Sequence, residues 1–508
     1  MTVARSEPTS TTSGNGTRPS SVRAVVRSRL GIDPRALGAF RIGLGLVVLF
    51  DLLVLRAPGL GTFYTDGGIL PRSALGELYP ALARWSLHAQ SGSFWIEAFL
   101  LAGTCLLATC VLAGYRSRLA AVGTALLLAS LHARNPFLVN GGDTILISLL
   151  IIAAFLPLEA RWSLRRRLDG RCVGTRSVEN RRITSIATAT VLVHVVSIYA
   201  INAILKFRSD AWMSGVAVPR IFQLEDFIYL LGPVLAEHTA VLTAINWLWI
   251  VTLSTSVLLV LSSGWIRSVT VSAFVVAHLG MAATMRLGAF PFVMVAVLLL
   301  FFPPRVWDRL AHLVSRFDRG RRLESLATER RSGDKSESSS SEIAVPPRIR
   351  RGARLVGVAF LVGFVLISGC WQVVAAGLVD APAAVADSDL DGASWAFFAP
   401  NPPDSYSWYV IEAERESGAS MDLVDGEAAD FDRPPDAMDR YPTTLWKRYG
   451  TKTQGAGAAH LEPAAVYFCG RAPADVESIT IYRADQPVDA DGPVGEPIRR
   501  ELIAASCE

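Results

Sequence analysis

Long apolar runs, separated by short breaks marked by glycine, proline and arginine, fill most of this chain. A helix rises ~1.5 Å per residue, so a run of about 20 apolar residues crosses a bilayer. Runs at about 37–57, 94–114, 119–133, 143–158, 184–205, 240–263, 268–285, 287–303 and 355–379 predict nine spans. The expected fold class is mainly α: a polytopic membrane helix bundle followed by a C-terminal exocytoplasmic β-rich domain. Five segments are expected. Residues 1–36, rich in Ser, Thr, Gly and then Arg, carry too little apolar content to pack and read as a disordered cytoplasmic lead. Residues 37–303 hold about eight transmembrane helices, 304–353 a charged cytoplasmic linker, and 354–380 the ninth helix. Residues 381–508 lose the long runs. Their strand-like stretches (SWYVIEAE, AVYFCG, ESITIYRA) sit between Pro/Gly/Asp turns. No short apolar core with a small-residue cleavage site precedes the first long run, so no cleaved signal peptide is expected.

Composition agrees with the membrane assignment, at 51% hydrophobic. The formal net charge of +4 conceals a split: from Ala381 onward there are 10 basic and 23 acidic residues. A basic membrane body with an acidic tail argues against nucleic acid as a partner. Arginines crowd alternate loops: six in the lead, two in 115–118, eight basic against three acidic residues in 159–182, and twelve against seven in 304–353. The intervening loops, 59–92 and 206–239, are nearly balanced. The positive-inside rule then puts the N-terminus in the cytoplasm, and nine spans put the tail outside the cell membrane. Cys172, in the arginine-rich 159–182 loop, is expected on the cytoplasmic side. The six cysteines show no metal-ligand spacing, and no metal site is expected. Cys105 and Cys110 read as packing residues. Cys469 and Cys507 are the tail's only thiols, and an oxidising exterior would favour a bond between them.

Ionisable groups at membrane depth are costly and point to sites. Tyr199, Asn202 and Lys206 follow one another at spacings of three and four, which lays them on one helical stripe. Lys206 ends its run, followed by a polar loop with Trp212 and Gly215. His278 lies in the outer half of another run, and the loop RNPFLVNGGD brings Asn140 and Asp143 to the same side. One cavity lined by Lys206, Asn202, Asn140 and His278 is therefore expected, with a desolvated lysine able to act as a base. Plainer readings stand beside this one. Lys206 could be a snorkelling anchor and His278 a packing residue. Arg41 could snorkel, Asp51 could pair with an arginine, and His194 reads as structural. Trp247 and Trp249 read as packing or interface aromatics.

The stretches FRIGLGLVVLFDLL with FYTDGGILPR, RNPFLVNGGDTILIS with FLPLEARWSL, LKFRSDAWMSGVAV, HLGMAATMRLGAFPFVMV and the tail's FFAPNPP resemble one family in order. They resemble the membrane region of vitamin K-dependent gamma-carboxylase and its microbial relatives, the horizontally transferred transmembrane domain (HTTM) proteins. The resemblance implies a helix bundle with an exocytoplasmic β-rich domain. It also implies an enzyme that uses a reduced quinone of the vitamin K or menaquinol type, with O2 and CO2 as co-substrates, on a secreted peptide. In the carboxylase a lysine deprotonates reduced vitamin K, and oxygen converts the hydroquinone to a strongly basic oxide. The oxide removes a glutamate γ proton, and CO2 captures the carbanion. By resemblance Lys206 is the base and His278 assists; Asn140, Asp143, Asn202 and Trp212, on the same outer side, are expected to bind substrate. The chain departs from the carboxylase in two places: Lys206 is followed by Phe207 rather than a second lysine, and Asn140-Gly141-Gly142-Asp143 replaces an Asn-His pair. A non-catalytic maturation or immunity partner of a secreted peptide is the alternative. A transporter is disfavoured by the lack of repeated halves.

Overall fold

The computed structural model describes residues 18–168, 182–318, 347–375, 377–380, 395–453 and 457–507. Cys172 and much of the 304–353 linker lie outside the described residues. From Arg18 onward the lead departs from expectation, while residues 1–17 lie outside the described residues. Residues Arg18–Leu30 form a helix (α1), and Ile32 just after it is fully buried and exchanges backbone hydrogen bonds of 2.9 Å with Ile183. An apolar residue that can pair with a second segment is ordered by that contact, which a composition count cannot register. Asp33 then caps α2 (Pro34–Phe50), with Pro34 at its first position.

A π-helical turn, Asp51–Arg56, carries α2 onward, so that Pro34–Tyr64 is one long apolar segment. Among the described residues five helices are long and apolar enough to cross a membrane. The others are α3 (Phe94–Ala113), α6 (Ile186–Phe207), α8 (Gly264–Thr284) and Arg351–Ala375 within α11 (Pro347–Ala375). A sixth exists if α9 (Phe290–Leu298) and α10 (Pro304–Asp318), which meet at 103°, are one span. The expected nine are therefore not all full-length helices. α4 (Ser117–Arg134) ends in buried His132 and Arg134, and α5 (Gly141–Ala153) has only 13 residues. The 240–263 run breaks after α7 (Thr239–Ser254). Apolar runs record burial, and a helix buried among other helices does not need bilayer length.

The alternation of loops is visible in three dimensions. At one end of the bundle the arginine-rich segments meet: Arg35 pairs with Asp308 at 2.8 Å, Arg267 donates to the Arg29 carbonyl, and Ser117 N–H donates to Glu159. At the other end the 59–92, 135–143, 206–239 and 284–290 segments meet the C-terminal domain.

That domain contains a four-stranded antiparallel sheet in the order β2–β1–β3–β4, with β1 Ser405–Arg415, β2 Ser420–Asp422, β3 Val476–Pro487 and β4 Ile498–Ser506. Central β1 and β3 place Trp408 opposite Ala484 and Ile411 opposite Ile481. Two of the three expected strands are strands. AVYFCG is not: it belongs to helix α13 (Ala458–Cys469), preceded by α12 (Thr444–Thr453). Short apolar runs fit a strand and a buried helix equally, and here Ala464 and Ala465 are buried in the same core as Ile479 and Ile481. A disulfide joins Cys469, at the end of α13, to Cys507 after β4, with the Cα atoms 5.2 Å apart.

Candidate functional site

Ser185 and Thr188 form a reciprocal capping box that starts α6, and its helical period then turns Tyr199, Asn202 and Lys206 inward as one buried stripe. Just beyond, Ser209 caps the short helix Asp210–Met213, which folds Trp212 back into the bundle. These four residues and His278 of α8 line a cavity of about 410 Å³, otherwise walled mostly by apolar side chains that include Trp249, Phe290, Phe397 and Phe398. Four of the six expected site residues thus share one cavity: Lys206, His278, Asn202 and Trp212.

A strap from the tail crosses this cavity. Lys206 Nζ donates to the carbonyl of Phe397 at 2.9 Å and lies 4.2 Å from the centre of the Trp212 ring. Trp212 Nε1–H donates to the Phe398 carbonyl at 2.7 Å, and Asn202 Nδ2 donates to the Trp395 carbonyl at 2.5 Å. The amide of Trp395 donates in turn to Gln372 Oε1 of α11 at 2.8 Å. Three side chains of the site are thus held by three backbone carbonyls of Trp395–Phe398.

His278 Nδ1 lies 2.8 Å from the Phe274 carbonyl, which can only accept. Nδ1 therefore carries a proton, and in the neutral ring Nε2 presents a lone pair. Neither His278 Nε2 nor the Tyr199 hydroxyl has a hydrogen-bond partner among the described residues, though both are buried. Both line the same cavity, where a ligand's polar atoms could satisfy them. The Tyr199, Trp249 and Phe290 rings surround the imidazole at 5.8–5.9 Å between centroids. The wall suits a flat apolar ring with hydroxyl or carbonyl oxygens at its edge.

Asn140 and Asp143 lie elsewhere. They form the capping box of α5, each side chain bonded to the other's backbone N–H. Asn140 lines a second cavity of about 260 Å³, which shares Leu287, Phe290, Phe397 and Phe398 with the first. The Asp143 carboxylate lines neither. It pairs with Arg56 at 3.1 Å and with Arg448 of α12 at 3.2 Å, while Arg56 also holds Asp51 at 2.7 Å and Tyr64 at 2.8 Å. Asp51, His132 and Asp143 bring potential ligand atoms within 4.8 Å of one another. Two guanidiniums already neutralise the two carboxylates, so the group reads as a buried ion-pair network that ties the C-terminal domain to the bundle.

A family model for the HTTM domain matches residues 30–307, more than half of the chain. The chain belongs to the HTTM domain family. No curated protein and no solved structure matches it. With its apolar helices, this HTTM protein is a membrane protein. The Trp395–Phe398 strap and α12 both fall outside the matched residues.

Within the HTTM domain, most of the plainer readings describe the remaining polar residues. Asp51 pairs with Arg56, and His194 Nε2 bonds Ser148 Oγ at 2.9 Å. Arg41 does not snorkel. It is fully buried and donates to the carbonyls of Leu112 and Trp162, satisfying the C-terminal end of α3. Trp249 does more than pack, since it lines the cavity beside His278. The contribution of Phe397 and Phe398 was missed. Their one signal was the aromatic FF pair opening FFAPNPP, which carries no periodicity of its own.

Proposed function

We propose that this HTTM protein is a gamma-carboxylase-like membrane enzyme acting on an exported peptide, with Lys206 as base and His278 assisting. The observation that carries the reading is the apolar cavity where a buried amine meets an imidazole nitrogen and a phenol that have no hydrogen-bond partner among the described residues. Tyr199, His278, Trp249, Phe290 and Phe397 would hold a reduced quinone of the vitamin K or menaquinol type. Such a group, when bound, supplies the electrons for reaction with O2, and CO2 is the second co-substrate. With such a ring bound, His278 Nε2 would accept a hydrogen bond from a hydroxyl and the Tyr199 hydroxyl would orient it. Lys206 holds the site's mobile proton, with a carbonyl and an indole as its only partners among the described residues. The strap excludes water from the amine. The positive-inside rule supports multiple spans with the N-terminus in the cytoplasm, and with them a cavity facing outward from the cell membrane, on the side of the arginine-poor loops and the acidic tail.

One observation favours a non-catalytic maturation or immunity partner instead: Lys206, Asn202 and Trp212 already have backbone partners in the strap. The two readings separate in one assay. Protein in lipid nanodiscs is given menaquinol or vitamin K hydroquinone, and oxygen uptake is followed for wild type, Lys206→Met and His278→Gln. The enzyme reading expects wild-type turnover that both variants lose. Quinol binding without any oxygen uptake, or uptake unchanged in Lys206→Met, would overturn it.

A further inference from the structure

The arginine-rich end of the bundle carries more positive charge than its described carboxylates balance. The last turn of α1, the residues before α6 and the first turn of α8 bring Arg29, Arg182 and Arg267 together there. Arg182 donates to the Ser28 carbonyl and Arg267 Nη1 to the Arg29 carbonyl at 3.0 Å, so both cap the end of α1. Gly31 lets these segments close, since a Cβ there would stand 2.8 Å from the Arg182 Cβ. Arg267 is 2% exposed, with its guanidinium 5.6 Å from the centre of the Phe301 ring, whereas Arg29 and Arg182 are half-buried.

Capping uses the N–H groups of these arginines without balancing their charge. None of the three makes an ion pair among the described residues, and Arg29 Nη1 and Arg267 Nε are buried with no hydrogen-bond partner among them. The charged groups that act on Arg267 are Arg182 and Arg29, of its own sign. Asp33, which acts on Arg182, is already held by Arg35 at 2.9 Å, and Arg35 also holds Asp308 at 2.8 Å. Four guanidiniums against these two carboxylates leave two positive charges, of which the end of the α1 dipole offsets only about half of one. A buried guanidinium without a counter-ion is costly, so the cluster favours an anion from outside the described residues.

The apolar surroundings decide what carries that anion. Val22, Val25 and Val26, spaced by three and four, make an exposed apolar face along α1. The exposed side of α6 opens four residues after Arg182 with Ile186 and continues seven residues on with Val193. Tied to this end by Asp308, α10 leaves α9 at 103° and exposes Leu310, Leu313 and Val314 on one side, with Arg305, Asp308, Arg309 and His312 on the other. A helix divided in that way lies flat between headgroups and acyl chains, which sets the level of the headgroups beside the arginines. We infer that Arg29 and Arg182 bind the phosphate of an anionic phospholipid in the leaflet at this end, with Arg267 adding charge behind them and the acyl chains lying against α1 and α6. A free phosphate or a nucleic acid would meet the charge and leave the valine face and Ile186 bare. The site needs only the membrane assignment and is independent of the chemistry proposed for Lys206.

The full chain, stripped of lipid in a neutral detergent, is titrated with dioleoyl phosphatidylglycerol or dioleoyl phosphatidylcholine, and bound lipid is counted by native mass spectrometry. An arginine near an anionic headgroup is worth roughly fivefold in affinity, so phosphatidylglycerol should be preferred roughly tenfold or more, and less so as salt rises. Arg29→Gln and Arg182→Gln should each cut the preference several-fold, and Arg182→Lys should keep most of it. Arg84→Gln, the same loss of charge at an exposed position in the 59–92 loop, should leave it unchanged. Thermal unfolding checks that each variant is folded. Independently of the variants, a phosphatidylglycerol with a photoreactive group near its phosphate should label wild-type peptides from 18–30 and 182–193. Equal retention of the two lipids, which a counter-charge from the chain's own carboxylates would give, would overturn the inference. So would labelling confined to other segments, a preference that survives in both folded glutamine variants, or an equal loss in Arg84→Gln. Displacement of bound phosphatidylglycerol by an equal concentration of inorganic phosphate would overturn the lipid assignment.

Discussion

Lys206 Nζ is hydrogen-bonded to the carbonyl of Phe397, 191 residues further along the chain, at 2.9 Å. The contact joins the end of α6 to a segment beyond the matched HTTM residues. It makes the tail part of the cavity wall.

Trp212 holds the neighbouring carbonyl, Phe398, through Nε1–H. Trp212→Phe keeps an aromatic face under Lys206 but removes that donor. A net hydrogen bond is worth about 1 kcal/mol, so amide exchange across 395–398 should quicken roughly fivefold. Unchanged exchange would mean that the strap is held by something else.

The Asp51–Arg56–Asp143–Arg448 network should be intolerant of losing one member. Arg56→Met leaves Asp51 without its arginine and Asp143 with Arg448 alone, at a cost of about 3–5 kcal/mol. Adding Asp51→Asn removes the stranded charge and should recover part of the loss. Thermal unfolding in detergent reads both effects; equal stability of wild type and Arg56→Met would refute the assignment.

Removing the Cys469–Cys507 bond should destabilise the C-terminal domain by about 2–4 kcal/mol, since it closes a loop 38 residues long. Non-reducing peptide mapping should recover the two cysteines in one joined peptide. Two free thiols would contradict it.

Lys447 gives the C-terminal domain a dependence on alkaline pH. Burial holds its pKa down to about 8, against the opposing pull of Asp226 and with help from Arg286 and Arg448. Burial likewise raises the Asp226 carboxyl. Because the unfolded lysine keeps its proton to about pH 10.5, stability should rise as pH climbs from about 8 toward that value. Unfolding midpoints of wild type and Lys447→Met between pH 7.5 and 10 should diverge in the wild type's favour. A constant difference across that range would remove the lysine from the explanation.

What the chain's own pattern determined is whatever depends on near neighbours. A 3.6-residue period sufficed to put Tyr199, Asn202 and Lys206 on one buried stripe, and strand-forming residues between Pro/Gly/Asp turns sufficed for β1 and β3. The arginine count sorted the loops into two groups that do meet at opposite ends. The scarcity of thiols in the tail left Cys469 and Cys507 as the only pair there. Only the tertiary structure decided the rest, because each remaining feature is a contact between segments far apart in the chain. Asn140 sits on the far side of a Phe290–Phe397 wall from Lys206, and Asp143 answers to an arginine 305 residues away. AVYFCG is a helix, and several apolar runs stop short of bilayer length. Hydropathy measures whether a residue prefers to leave water; it does not say whether lipid, a neighbouring helix or a returning tail will cover it.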